Sequence, residues 1–415
     1  MSNDRYVDIA PMIVLGMVIL TSLAFDFTNG FHDTANAMAT SIATGALKPK
    51  QAVALSAVLN LLGAFLSVQV ALTVTNSVIK IQDSTGAPNP QLTADGGSAL
   101  LLIVLAGLVG AILWNLLTWL LGLPSSSSHA LFGGLIGAAI AGLGVSSVKW
   151  VGTGAKLDGV VGKVILPAVL SPLIASVVAM TGTWLIYRLT RTIAEKFRND
   201  GFRWGQIGSA SLISLAHGMN DAQKTMGIIT LALIASGQWH DLHAVPLWVK
   251  AACATAIALG TFIGGWRIIR TLGKGLVEID SPQGLAADSS SAATIIISSH
   301  LGFALSTTHV ATGSIIGTGL GRKGAQVRWA VAARMLVAWL ITLPSAGVLA
   351  ALAWAVGHLV GGLAGAIVIF LILVGCALYM FWHSRKNPVG HHNVTDDWEA
   401  APERVVTDTV KEVVR

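Results

Sequence analysis

Apolar and polar positions along this chain fall into long blocks rather than a fine alternation. Apolar stretches run over about residues 11–31, 51–75, 98–121, 125–144, 163–187, 207–235, 245–266, 291–320, 326–351 and 352–382. Blocks of this length read as membrane-spanning helices, each needing about 20 residues. The pattern predicts an all-α polytopic membrane protein of about 10–12 transmembrane helices, several of them broken or re-entrant. One transmembrane domain is expected over residues 1–382 and a polar cytoplasmic tail over 383–415. Within that tail Val406, Val410, Val413 and Val414 have helical spacing, which fits a short interfacial helix or a frayed end.

Composition agrees with the blocks. Of 415 residues 53% are hydrophobic and 11% charged, whereas soluble domains carry about 25% charged residues. The net charge of +6 is read as topological, because Lys and Arg gather in cytoplasmic loops; no nucleic acid partner is expected. Arg188, Arg191, Lys196, Arg198 and Arg203 put the segment 188–203 in the cytoplasm, with Lys48 and Lys50, Arg267 to Lys274, and Arg322 to Arg328 on the same side. Segments 76–97 and 236–249 are the candidates for the outer face, which puts the N-terminus outside. Lys149, Lys156 and Lys163 lie where this alternation expects few cations. Asp4, Arg5 and Asp8 precede the first span, so a cleaved signal peptide is not expected. Trp114, Trp119, Trp248, Trp266 and Trp382 near span ends read as interface anchors, and Cys253 and Cys376 in apolar runs exclude a disulfide framework.

The two halves carry related motifs in the same order. Asn29 to Ala39 aligned with His217 to Gly227 matches Gly30 with Gly218, Asp33 with Asp221 and Met38 with Met226. Ser126 to Gly137 aligned with Ser306 to Gly317 matches Ser126/Ser306, His129/His309, Gly133/Gly313, Ile136/Ile316 and Gly137/Gly317. The charge assignments give the halves opposite orientation. Two inverted-topology repeats are therefore expected, over about 10–187 and 207–351, with an extra span over about 352–382.

Ionisable groups inside a membrane cost about 2.5–3.5 kcal/mol each on insertion scales and mark functional sites by default. Asp26, His32 and Asp33 lie at the end of the first block, and His217, Asp221 and Lys224 lie within the sixth. Asp33 with Asn36, and Asp221 with Lys224, share helix faces. A helix break at Gly30 and Gly218 would expose carbonyls beside each acid, suiting Na⁺, a hard divalent ion or a proton. The hydroxyl runs Ser125 to Ser128 and Ser306 to Thr308 precede apolar helical sequence, where N-caps occur. Two such helix starts, with free amides and hydroxyls, suit one tetrahedral oxyanion. His32, His129, His217 and His309 accompany these groups, and histidine as a residue type titrates near physiological pH, so they are candidates for a proton relay. P-loop, GxSxG and HExxH motifs are absent, so an ion gradient is the expected energy source.

Gly-Phe-His-Asp-Thr-Ala-Asn at 30–36 and Gly-Met-Asn-Asp-Ala-Gln-Lys at 218–224 resemble the paired motifs of the inorganic phosphate transporter (PiT) family. Ser306 to His309 resembles that family's Ser-Thr-Thr-His element. The resemblance spans about residues 10–382 and implies a duplicated, inverted fold, usually dimeric, that symports phosphate with Na⁺ or H⁺. Its bacterial low-affinity phosphate permease branch further implies proton coupling and carriage of neutral metal–phosphate complexes with Mg²⁺ or Ca²⁺. By position, it implies phosphate contacts from Ser127, Ser128, Thr307 and Thr308, and Ser126, Ser306, Gln223 and Lys224 are further phosphate-binding candidates beside them. Cation binding falls to Asp33, Asn36, Asn220 and Asp221, with Asp33 and Asp221 as the metal candidates. His32 and Lys224 depart from the family's symmetric pattern. The expected function is secondary import of phosphate at the plasma membrane, proton favoured over sodium, by a protein that is not an enzyme and holds no resident cofactor. A sulfate permease is the rival within transport, and a membrane enzyme acting on phosphorylated lipid the rival outside it.

Overall fold

In a computed structural model the described residues are 9–71, 80, 94–152, 158–241 and 244–396. Lys156, most of segment 76–97 and the tail valines lie outside them. Every regular element among the described residues is a helix. The first half holds α1 (Ile9–Ala43), α2 (Pro49–Gly63), α3 (Ser98–Leu120), α4 (Ser127–Leu143) and α5 (Leu166–Leu189). The second holds α6 (Glu195–Ala235), α7 (Leu247–Ile263), the short α8 (Trp266–Arg270), α9 (Ser281–His300), α10 (Thr307–Gly321) and α11 (Trp329–Val360), followed by α12 (Gly362–Ser384).

Among the described residues five stretches are long and apolar enough to cross a bilayer singly: Ala10–Ala43, Ser98–Leu120, Val161–Leu189, Trp329–Val360 and Gly362–Ser384. A sixth is the pair Leu247–Ile263 and Trp266–Gly275, bent by 60° at Gly264, whose φ of 77° favours glycine. Exposed apolar faces on α5 (Leu173, Val177) and α11 (Val337, Leu340) suit contact with lipid, while α3 is buried along most of its length. The chain is a multi-pass membrane protein.

The apolar stretch 291–320 is two helices, and its break matches the one between α3 and α4. Each link is six residues long, 121–126 and 301–306, with a left-handed glycine second, Gly122 at φ 65° and Gly302 at φ 69°. Each restarts on a serine N-cap: Ser126 Oγ accepts from His129 N at 3.1 Å and Ser306 Oγ from His309 N at 3.2 Å. A capping box of Asp280 and Gln283 starts α9.

Opposite orientation of the halves is visible where their equivalent helices touch. Thr225 of α6 donates to Asp26 of α1, and seven residues further along α1 Asp33 faces His217, eight residues earlier on α6. The two helices therefore run antiparallel. Partners are also exchanged between halves. A Cβ on Gly133 or Gly137 of α4 would strike Leu343 or Gly347 of α11, and one on Gly313 or Gly317 of α10 would strike Pro172 or Ser176 of α5. Backbones that close need glycine, as in small-residue membrane packing.

Two expectations are corrected. Gly30 and Gly218 do not break their helices; α1 runs to Ala43 and α6 through Lys224. Those glycines instead admit the carbonyls of Ile257 and Asn60 from α7 and α2, so no free carbonyls arise there. Trp114 is no interface anchor: it is buried, and its Nε1 donates to Thr342 Oγ1 at 3.0 Å. Two of the unexpected cations are held within the protein, Lys149 by Asp158 and Lys163 over the Phe303 ring at 4.3 Å.

Candidate substrate and cation site

The polar segments of α1 and α6 stay helical because the surrounding helices bury them and supply their partners. Asp33 is 2% exposed, and Asp221 and Lys224 are 1% exposed. The hydroxyl of Thr307, in the first turn of α10, joins the two acids, lying 3.4 Å from Asp33 Oδ2 and 3.1 Å from Asp221 Oδ2. From the first turn of α4, Ser127 Oγ donates to Asp33 Oδ1 at 3.1 Å. The helix starts meet each other as well, with Ser128 Oγ donating to Leu305 O at 3.1 Å. Both acids and both hydroxyl runs thus share one buried centre.

Each acid carries an imidazole. His32 Nδ1 lies 2.6 Å from Asp33 Oδ1, and His217 Nε2 lies 2.8 Å from Asp221 Oδ2 and 4.0 Å from Asp33 Oδ2. Second partners orient both rings. His32 Nε2 is 3.3 Å from Thr118 Oγ1 and from Ser125 Oγ, and His217 Nδ1 is 3.1 Å from Asn60 Oδ1, which is itself fixed by Asn60 Nδ2 donating to Thr261 Oγ1 at 2.8 Å.

Asn36 and Lys224, equivalent by sequence, reach opposite helix starts. Asn36 Nδ2 donates to Thr308 Oγ1 at 3.0 Å and Thr307 Oγ1 at 3.3 Å. Lys224 Nζ donates to Ser128 Oγ at 2.6 Å, to Leu305 O at 3.1 Å and to Asp221 Oδ1. Asn36 Oδ1 has no hydrogen-bond partner. Asp33, His217 and Asp221 can each turn one ligand atom to a common point, those atoms lying within 4.8 Å of one another. Hard cations prefer all-oxygen shells, and an imidazole in the set is less suited to Mg²⁺ or Ca²⁺.

Other sequence candidates point elsewhere. Gln223 Oε1 accepts from Val70 N at 2.9 Å and Ala71 N at 3.4 Å, so its oxygen serves a backbone rather than the centre. Asn220 Nδ2 donates to Ser299 Oγ at 2.8 Å. Ser126 and Ser306 are occupied as caps. His129 and His309 pair with each other at 4.8 Å between centroids, and His309 stacks on Trp339 at 4.0 Å. Both line an apolar cavity of about 460 Å³ with Pro172 and Leu336, away from the acids. Sequence reasoning missed Thr118, Asn60 and Thr261. Asn60, an amide in the middle of an apolar stretch, was the signal available.

Residues 29–350 match the phosphate transporter family over more than half of the chain. The chain belongs to that family. Relatives named "Probable low-affinity inorganic phosphate transporter" include one from Mycobacterium bovis, 58% identical over 94% of this chain and 88% of that protein. Another, from Bacillus subtilis, is 42% identical over 83% of this chain and 97% of that protein. Among solved structures, "The sodium-dependent phosphate transporter" matches with a TM-score of 0.67 at 20% identity, covering 84% of this chain and all of the other. That likeness concerns the fold. Membership of the phosphate transporter family makes the chain a transporter and not an enzyme.

Proposed function

We propose that the protein imports inorganic phosphate across the plasma membrane by cation symport, with protons favoured over sodium. The reading rests on one observation: two carboxylates from antiparallel, equivalent helices meet at Thr307, between two helix starts, and each bears an imidazole. Phosphate would lie against Ser127, Ser128, Thr307 and Thr308, whose first-turn amides have no intrahelical acceptor. Lys224 would add a positive charge on the α4 side.

Charge sets the coupling. Asp33 and Asp221 contribute two negative charges and Lys224 one positive, so a divalent phosphate would meet net repulsion in so buried a site. Protons on His32 and His217 reverse that sign, since with both imidazoles charged the cluster carries one net positive charge. A metal–phosphate complex would also be neutral, with Asp33 and Asp221 as metal ligands, but the imidazole beside them favours the proton. On the distribution of basic residues, the N-terminus lies outside and the C-terminal tail in the cytoplasm.

The test is uptake of labelled phosphate by purified protein in liposomes, with pH and Na⁺ gradients imposed separately and Mg²⁺ present or withheld. Uptake driven by the pH gradient without Na⁺ is expected, and Asp33→Asn and Asp221→Asn should abolish it. Dependence on Na⁺ alone would overturn the proton reading. Equal competition by sulfate would overturn phosphate selectivity.

A further inference from the structure

Two buried acids take no part in the cluster described above. Asp26 is 0% exposed; its Oδ1 accepts from Thr225 Oγ1 at 2.6 Å, and its Oδ2 has no hydrogen-bond partner. Asp288 on α9 is 1% exposed; its Oδ1 accepts from Thr40 Oγ1 at 2.7 Å, and its Oδ2 likewise has no partner. In both environments a threonine hydroxyl satisfies one carboxyl oxygen, and Asp26 has the Cys253 thiol beside it as well.

Their positions relate them to the central site. Asp26, Asp33 and Thr40 are seven residues apart on α1, a spacing that keeps them on one helix face at steps of about 10.5 Å. Because Thr40 holds Asp288, three carboxyl groups line this face. The central one lies in the cluster described above, and one lies to either side of it along the α1 axis. The groups bearing on Asp26 are Asp221 and Lys224 of α6 and the Cys253 thiol of α7. Thr40 is the side chain that meets Asp288, and no charged side chain bears on it among the described residues. An unpaired carboxylate ion in such surroundings is far costlier than the neutral acid, so groups of this kind take up protons.

We infer that Asp26 and Asp288 are proton-binding sites, each holding a coupling proton on one side of the phosphate site. The inference rests on the proton-symport reading and deepens it. Asp26 takes its proton from water on the side where α1 begins, and Asp288 returns one to water on the other. Each step moves a single proton between a carboxyl oxygen and water or the central cluster, and nothing else is consumed. In the acid form the carboxyl can be carried through hydrocarbon; in the ionised form it cannot, which ties reorientation of the carrier to proton occupancy.

The experiment compares wild type with Asp26→Asn and Asp288→Asn in liposomes. It measures net phosphate uptake driven by a pH gradient and, separately, exchange of labelled for unlabelled phosphate at equal pH. Asparagine keeps an oxygen for the threonine but cannot carry the proton. Net uptake is expected to fall about tenfold or more while exchange stays near wild type, and Asp26→Glu should restore part of the net uptake. Undiminished pH-driven uptake in both asparagine variants overturns the inference, as does equal loss of exchange in monodisperse protein. A wild type indifferent to the pH gradient overturns the proton-symport reading itself, which separates the two failures. A second measurement needs no variant: dicyclohexylcarbodiimide, which attacks protonated buried carboxyls, should modify Asp26 and Asp288 of the wild type, less so at alkaline pH. Absence of modification at both acids, read by mass spectrometry, overturns the inference.

Discussion

Replacing Lys224 by methionine keeps the length of the side chain and removes its charge. The ammonium is buried against three acceptors, Ser128 Oγ, Leu305 O and Asp221 Oδ1, so all three of its protons are used. Without it, Asp221 keeps only His217 and Thr307, and the Leu305 carbonyl keeps only Ser128. Removing one member of a buried ion pair costs about 3–5 kcal/mol, a factor of about 10² to 10⁴ in the ratio of folded to unfolded protein. Lys224→Met should therefore unfold at clearly lower denaturant or temperature in detergent, followed by tryptophan fluorescence. Pairing it with Asp221→Asn removes the stranded charge along with its partner, so the double variant should recover much of the stability while remaining unable to transport. The cycle of four proteins isolates the pair. A Lys224→Met protein as stable as wild type, or a double variant showing only the sum of the two single effects, would refute this account.

Further predictions follow from other contacts. Gly317→Val would drive its Cβ into the Ser176 carbonyl; overpacking of this kind costs about 1–3 kcal/mol, and a lowered melting temperature is expected, whereas Gly375→Ala, with open space around it, should not lower it, since alanine favours a helix over glycine. Asn36→Ala removes both bonds to the α10 start, leaving buried groups short of partners at about 1–3 kcal/mol; phosphate uptake at limiting phosphate should drop. Partial burial raises the Asp158 carboxyl, but Lys149 and the Gly159 amide outweigh it and hold that carboxyl below the usual range. Asp158 thus stabilises above the unfolded carboxylate value of about 3.9, and this is lost as pH falls through the lower folded value. Because the pair is partly solvated, Asp158→Asn should cost less than about 1 kcal/mol, measured as a shift in acid unfolding. Arg267→Ala removes bonds from Nη2 to Ser384 O at 2.9 Å and Asn387 O at 2.5 Å, and limited proteolysis after α12 should accelerate.

The meeting of Asp33 with Asp221, and of Ser127 with Thr307, was legible because duplication fixes it. Motifs repeated in the same order with opposite orientation converge on the axis relating the halves. Helix starts were legible because hydroxyls before an apolar run cap helices wherever they occur. The continuity of α1 beyond residue 31 was not, since hydropathy registers lipid contact and this segment touches protein instead. Nor was the use of Gly30 and Gly218, because a glycine that admits a neighbouring backbone and one that ends a helix look the same in sequence. The directions of Gln223, His129 and His309 depend on rotation about long helices, which only packing decides.

The exchange of partners between halves bears on ancestry and assembly. Each short helix lies along a long helix belonging to the other half, with glycine letting main chain touch main chain. Neither half, made alone, could cover its own grooves. A polypeptide half as long would complete itself only by joining a twin inserted upside down in the bilayer, so a gene fusion would have made permanent what had been a dual-topology pair. The same logic implies that the two halves, produced as separate polypeptides in one cell, should find each other and restore a working carrier.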